Sequence, residues 1–152
     1  MSTNFYFAPA EDAKDLALFG ELHIGIASGG WEFGFQAYAE AGGPRRVAVN
    51  NDRTLTMGIV VPPLIIKSWD DWKRILTSTD GIIQDEYGHV MSFVDFEEYV
   101  KLRSPGKYWG DGCPLRNHYD YLVENVAIHG PVDPEVEWKD NRGFSFSTRD
   151  FS

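Results

Sequence analysis

Apolar and polar residues alternate along two neighbouring stretches in the first quarter of the chain. The first stretch runs from Leu22 to Ile26 and the second from Trp31 to Tyr38, with Ser28-Gly29-Gly30 between them. A period of two is typical of strands with one buried face, and glycine supplies the positive φ angle that tight turns require. The pattern therefore predicts a β-hairpin over residues 21–38.

Two further hairpins are predicted by the same kind of pattern. Asp85-Glu86-Tyr87-Gly88 has the length and the terminal glycine of a four-residue connection between short apolar segments. Near the end of the chain, apolar residues alternate with glutamates before Asp140-Asn141-Arg142-Gly143 and with serines after it. These patterns predict hairpins over residues 82–91 and 135–148.

Two serines each precede a segment with apolar residues at helical spacing. A serine oxygen accepts a hydrogen bond from the free backbone N–H groups at a helix start. Ser68 precedes Trp69, Trp72 and Leu76, which share one face of a helix, and Ser92 precedes a segment whose apolar residues recur in the same way. We predict helices near residues 69–77 and 93–103.

The remaining segments have no sustained period. Pro9 and scattered acidic residues interrupt residues 1–20, which we predict to form an irregular N-terminal arm, and residues 107–130 support no assignment. The length of 152 residues is that of one typical domain. We predict a single domain over residues 1–152 with an α+β fold, in which an antiparallel sheet of β-hairpins is packed on one face by two short helices.

Charge and composition narrow the function classes. Fourteen Lys and Arg against 23 Asp and Glu give a net charge of −9, which repels phosphate backbones and disfavours direct binding of nucleic acid. The single Cys113 excludes an intrachain disulfide and a multi-cysteine zinc site, and it is typical of a reducing compartment. The sequence contains no apolar run long enough to span a membrane. We therefore expect a cytoplasmic protein without a membrane segment.

Three separate motifs carry a resemblance to a known group of proteins. They are Leu22-His23-Ile24-Gly25 followed by Ser28-Gly29-Gly30-Trp31-x-Phe33, the helix start Ser68-Trp69-Asp70-Asp71-Trp72, and Asp85-Glu86-Tyr87-Gly88. In this order and spacing the chain resembles a group of small uncharacterised tailed-phage proteins with a His-Ile-Gly-x-x-Ser-Gly-Gly-Trp-x-Phe motif and a later Asp-Glu-Tyr-Gly motif. The group usually has Lys and Ser where this chain has Ile26 and Ala27. The resemblance implies a bacteriophage origin, a shared fold and the cytoplasm of a host cell as location.

Several side chains are candidates for catalysis. If the chain is an enzyme, His23, Asp85, Glu86 and His89 offer imidazoles and carboxylates for general acid–base or metal-assisted chemistry. The alternation of faces along a strand separates adjacent residues, which argues against Asp85 and Glu86 acting as a pair unless the turn gathers them. No histidine, cysteine or carboxylate spacing is typical of a metal site, so we predict neither a metal nor a cofactor.

The preferred hypothesis is therefore non-enzymatic. We expect a small acidic viral protein that binds and modulates a host protein, with a defence (CRISPR or restriction) nuclease complex as one such partner. The residues expected to bind the partner are Trp109, Asp85, Glu86 and Tyr87, because exposed aromatic rings and carboxylates suit such an interface. The alternatives are a small metal-assisted hydrolase or nucleotide-processing enzyme, and a virion or assembly component.

Overall fold

The computed structural model describes residues 2–13, 20–39, 45–48, 58–61, 64–108 and 112–149. The helices of these residues are α1 Trp69–Ser78, α2 Phe93–Lys101, α3 His118–Glu124 and α4 Val126–His129. The strands are β1 Ser2–Pro9, β2 Leu22–Ser28, β3 Gly34–Gln36, β4 Tyr38–Ala39, β5 Arg45–Ala48, β6 Gly58–Val61, β7 Ile65–Ile66, β8 Gly81–Asp85, β9 Val90–Met91, β10 Glu137–Lys139 and β11 Ser145–Ser147. None of the described helices is long and apolar enough to cross a bilayer.

Seven strands form the main sheet in the order β10-β11-β3-β2-β1-β8-β9. All neighbouring pairs are antiparallel except β11 and β3, which run parallel. Two smaller antiparallel pairs, β4 with β7 and β5 with β6, lie outside this sheet. The predicted α+β class agrees with this architecture, but the sheet predicted to be antiparallel contains one parallel pair.

Both predicted helices are present with their predicted caps. Ser68 Oγ accepts from the Asp71 N–H and Ser92 Oγ from the Asp95 N–H, each at 3.1 Å. The helix predicted near residues 93–103 ends at Lys101 rather than two residues later. Each serine satisfies a donor that the first helical turn leaves without an internal partner.

The N-terminal segment differs from the predicted irregular arm. Residues 2–9 form β1, which lies between β2 and β8 inside the main sheet. Phe5 and Phe7 are almost fully buried while Asn4 and Tyr6 are half-buried, so this strand does alternate. Pro9 lies at the last position of β1 and does not interrupt the pairing. Residues 14–19 of the predicted arm lie outside the described residues.

Two other segments differ from what the sequence predicts. The second strand of the hairpin at 21–38 is only Gly34–Gln36, because Trp31 forms a separate bridge with Arg116. The unassigned segment 107–130 contains α3 and α4, and Asn117 caps α3 by accepting from the Asp120 N–H at 3.1 Å. An asparagine cap after an irregular stretch gives a weaker sequence signal than a serine before a long apolar stripe.

The core unites the sheet and the first two helices in one buried cluster. Phe33, Phe35, Phe96 and Phe144 all belong to it, and the Phe33 and Phe96 ring centroids lie 5.7 Å apart in a T-shaped arrangement. Trp72 is fully buried, and its indole N–H donates to the Gln36 carbonyl at 3.0 Å. Strand alternation places Asn4, Tyr6, His23 and Ile26 on the opposite face, which we call the second face.

Candidate functional site

The carboxylate of Asp85 organises the turn between β8 and β9. Its Oδ1 accepts from the backbone N–H groups of Tyr87 and His89, both at 2.9 Å, and its Oδ2 lies 3.0 Å from His89 Nδ1. The Gly88 N–H donates to the Asp85 carbonyl at 3.0 Å, and the φ of Gly88 is 83°, a conformation that glycine adopts without strain. The turn predicted at this position is therefore present, and one side chain holds it together.

The pKa of Asp85 reflects these contacts. Burial of the carboxyl acts to raise its pKa, but the hydrogen bonds from the His89 backbone and imidazole and from the Tyr87 backbone outweigh that effect. The pKa of Asp85 therefore lies below its ordinary value of 3.8. The turn keeps a negative charge at neutral pH.

The same turn presents apolar side chains to solvent at the edge of the sheet. Tyr87 is 62% exposed and Val90 is 61% exposed, and β9, which contains Val90, is the last strand of the main sheet on this side. Val94, at the start of α2, is also exposed. Large apolar side chains beside carboxylates are typical of surfaces that other molecules cover.

Glu86 points away from Asp85 and contacts the second face. Its Oε1 accepts from the backbone N–H of Asn4 at 2.8 Å and from the Asn4 side-chain amide at 3.4 Å. The Asn4 Oδ1 lies 2.9 Å from Nε2 of His23, and the His23 ring stacks on Tyr6 with 5.0 Å between centroids. Asn4 therefore links His23 to Glu86.

The four residues proposed for catalysis fall into two separate pairs. His23 is joined to Glu86 through Asn4, whereas Asp85 contacts His89 directly. Successive residues at the end of β8 point in different directions, as the alternation of faces predicts. In the part of the chain that the structure describes, no three histidine, cysteine, aspartate or glutamate side chains form a group able to hold a metal ion.

A shallow cleft of about 330 Å³ is lined by one member of each pair, Asp85 and Glu86. The Gln84 amide donates to Glu21 Oε2 at 2.6 Å across part of it. The described residues that line this cleft are Tyr6, Glu21, Gln84, Asp85, Glu86 and Gly88. Three of the six carry carboxylates and one carries an aromatic ring, so this surface is suited to binding cationic groups. We call the cleft and the adjoining residues Tyr87 and Val90 the acidic turn surface.

Sequence reasoning missed two residues of the second face, Asn4 and Glu32. Asn4 lies in the segment predicted to be irregular, and Glu32 belongs to no motif, although it lines a cavity on the second face together with His118. Only the pairing of distant strands brings these side chains together, so no local signal could have found them. Trp109, which was predicted to bind the partner, lies outside the described residues.

Comparisons with protein-family models, curated proteins and solved structures find no match for this chain.

Proposed function

We propose that the chain is a small phage-encoded protein that binds and modulates a protein of its bacterial host through the acidic turn surface. The observation that carries the proposal is the exposed Tyr87 on a turn that Asp85 holds in one conformation. Tyrosine is enriched among residues that dominate binding energy at interfaces. A turn that is already ordered loses less conformational entropy on binding than a flexible one.

The charge of the chain favours a basic partner. With a net charge of −9 and carboxylates along the cleft, the acidic turn surface is complementary to the basic grooves in which nucleases hold nucleic acid. A CRISPR or restriction nuclease complex in the host cytoplasm is such a partner. In this proposal the hairpins, packed on one face by the two capped helices, form the scaffold of the surface.

The proposal is tested by quantitative affinity capture. The full chain carrying an affinity tag is expressed in bacterial cells that contain a CRISPR or restriction nuclease, and captured proteins are measured by mass spectrometry. We expect capture of a nuclease subunit and inhibition of its cleavage. We expect Tyr87→Ala to reduce capture by about tenfold or more, which is the effect of losing a dominant interface side chain.

Ile128→Ala is the matched control, because Ile128 is 75% exposed on α4 and does not line the acidic turn surface. This variant is expected to capture the partner as well as the wild-type chain. Equal capture by the wild-type chain and Tyr87→Ala would reject the acidic turn surface as the interface. Incorporation of the chain into virus particles without nuclease inhibition would replace the proposal with a virion component.

A further inference from the structure

A second cavity lies on the second face of the sheet. Its volume is about 220 Å³, and the described residues that line it are Ile26, Ser28, Trp31, Glu32, Gly34 and His118. The chain on either side of Trp31 is fixed by backbone bonds: the Glu32 N–H donates to the Arg116 carbonyl at 2.8 Å, and the Arg116 N–H donates to the Gly30 carbonyl at 2.9 Å. These bonds hold Trp31 and Glu32 next to the start of α3.

Glu32 supplies a carboxyl group to a largely apolar wall. Its Oε1 accepts from the Asn117 side-chain amide at 2.8 Å, which uses one of the about four lone-pair positions of a carboxylate. Burial raises the pKa of Glu32; the Asn117 bond opposes this, the charge of Asp120 adds to the rise, and Lys139 opposes it. A carboxylate in this position is partly desolvated and gains from a cation that enters the cavity.

His118 adds no positive charge to the cavity at neutral pH. Burial lowers the pKa of His118 below 6.5; Glu137 acts to raise it and His129 to lower it further. The imidazole is therefore neutral at pH 7 and does not repel a cation beside Glu32.

Trp31 already binds a guanidinium group of this chain. The Arg116 guanidinium carbon lies 4.4 Å from the centroid of the Trp31 ring, and the Tyr121 ring approaches edge-on at 5.6 Å. The described residues that line the cavity include Trp31 but neither Arg116 nor Tyr121. An aromatic face and a carboxylate are both groups that bind a planar cation.

We propose that this cavity accepts the guanidinium group of an arginine side chain from the protein partner. The guanidinium group is planar, has five N–H donors and no acceptor, pairs with carboxylates and stacks on aromatic rings. A lysine ammonium is compact and strongly hydrated, so it fits an apolar wall less well. This inference rests on the proposed function and adds a specific partner side chain to it.

A row of paired residues across the sheet connects the cavity with the acidic turn surface. Asn4 on β1 is the register partner of Ile26, which lines the cavity, and the Glu86 N–H donates to the Asn4 carbonyl at 2.9 Å. Glu86, Asn4 and Ile26 thus follow one row across the sheet, and at about 4.8 Å per strand the row spans roughly 10 Å. One partner can therefore cover both the turn and the cavity.

Binding is expected to depend on pH with a defined sign. A bound guanidinium stabilises the carboxylate of Glu32 and lowers its pKa, so binding releases a proton where free Glu32 is protonated. Affinity should fall as pH is lowered through the raised pKa of Glu32, and protonation of His118 should weaken it further. The charged groups that act on these two residues are Lys139, Asp120, Glu137 and His129. The guanidinium of Arg116 also stacks on the neighbouring Trp31 ring.

The test uses arginine with blocked termini as the probe and the full chain labelled with ¹⁵N. Titration at pH 7 is expected to shift the Trp31 indole and Gly34 amide signals, and blocked citrulline, a neutral analogue of the same shape, is expected to bind at least about tenfold more weakly. Glu32→Gln should weaken arginine binding by about tenfold or more, as expected for losing a charged hydrogen-bond acceptor. Glu124→Gln, at an exposed position of α3, is the matched control and should leave binding unchanged.

Equal binding of arginine and citrulline, or unchanged binding to Glu32→Gln, would overturn the inference. If Glu32→Gln does not fold, the comparison of the two probes with the wild-type chain at pH 7 and pH 5 decides the question, because only a charge-dependent site weakens at the lower pH. Arginine binding without capture of a nuclease would reject the proposed function and keep the guanidinium site. Capture of a nuclease that depends on Tyr87, without arginine binding, would keep the proposed function and reject the guanidinium site.

Discussion

Two hairpin turns of this protein share one hydrogen-bond geometry and differ in what surrounds them. In residues 85–89 and in residues 140–144, the first aspartate accepts from the backbone N–H groups two and four positions later, at 2.9 to 3.0 Å. The glycine at the fourth position has a φ of 83° in one turn and 88° in the other, and it donates to the aspartate carbonyl at 3.0 Å in both. The two turns are therefore matched in their backbone chemistry.

The second oxygen of each aspartate distinguishes the turns. Asp140 Oδ2 accepts the Trp69 N–H at the start of α1 at 2.8 Å, whereas Asp85 Oδ2 contacts His89 of its own turn. Arg142 of the second turn also bonds to Asp70 on α1 at 3.0 Å. One turn thus fastens a hairpin to a helix, whereas the other bonds through Glu86 to the neighbouring strand β1 and leaves Tyr87 exposed. The same local motif can be structural or available to a partner, depending on one further contact.

The largest expected effect is the loss of the contact that ties the second turn to α1. Asp140→Ala removes the acceptor of the Trp69 N–H together with both turn bonds, and leaves donors without partners. We expect the free energy of unfolding to fall by about 2–4 kcal/mol. Chemical denaturation measures this as a lower midpoint with an unchanged slope.

Asp85→Ala is the matched control for this prediction. It removes the equivalent turn bonds but no contact with a helix, so it should destabilise the protein less than Asp140→Ala. Equal losses for the two variants would show that the bond to Trp69 adds nothing, and the distinction between the turns would fail.

The sequence predicted both turns, because their geometry depends on residues close together in the chain. Asp-x-x-Gly supplies a side-chain acceptor and a residue that tolerates positive φ, and these features are visible without a structure. The caps Ser68 and Ser92 were predictable for the same reason. The partner of Asp140 Oδ2 could not be predicted in this way, because Trp69 is 71 residues from Asp140 in the chain.

Long-range pairing also explains what the sequence did not reveal about the fold and the site. β11 pairs in parallel with β3 across more than a hundred residues, and no local pattern specifies that choice. Pro9 and the scattered acidic residues predict an irregular segment in place of β1, but Pro9 lies at the end of the strand and so leaves its pairing intact. The second-face cavity depends on the bridge between Trp31 and Arg116, so Glu32 and His118 become neighbours only after folding.

The two turn glycines provide a second, smaller comparison. A Cβ at Gly88 meets nothing within 4 Å, whereas a Cβ at Gly143 lies 3.2 Å from Cγ of Pro105. Gly88→Ala should cost about 1–2 kcal/mol, the strain of a positive φ in a residue with a side chain. Gly143→Ala should cost more, because Pro105 must also shift. A thermal or chemical denaturation series that ranks Gly88→Ala as the more destabilising variant would contradict the packing of the second turn.

Acid titration distinguishes the two turns, because each one lowers the pKa of a different carboxyl group. The hydrogen bond from Arg142 holds the pKa of Asp70 on α1 below 3.8, whereas the first turn lowers the pKa of its own Asp85. Both carboxyls have a lower pKa in the folded state, so each stabilises the protein above its ordinary pKa and loses this contribution as pH falls through its folded pKa. In carboxyl NMR titrations, Arg142→Gln should raise the pKa of Asp70 and leave that of Asp85 unchanged. His89→Gln should raise the pKa of Asp85 and leave that of Asp70 unchanged. A response of both carboxyls to either variant would show that the turns are not independent.

The smallest expected effect on stability is that of Tyr87→Ala. A small effect is expected because the turn at residues 85–89 exposes this side chain, whereas the turn at residues 140–144 is bonded to α1. Tyr87 is 62% exposed, its backbone N–H donates to Asp85, and its ring makes one loose contact, with the His89 ring at 6.3 Å between centroids. Removal of the side chain should therefore change the free energy of unfolding by less than about 0.5 kcal/mol. Denaturation of Tyr87→Ala beside the wild-type chain measures the difference. A loss above about 1 kcal/mol would place the ring in the folded structure's own packing rather than at a surface for a partner. If Tyr87→Ala keeps the stability of the wild-type chain but no longer captures the partner, the two roles are separate. The stability of the turn then depends on Asp85, and recognition of the partner depends on Tyr87.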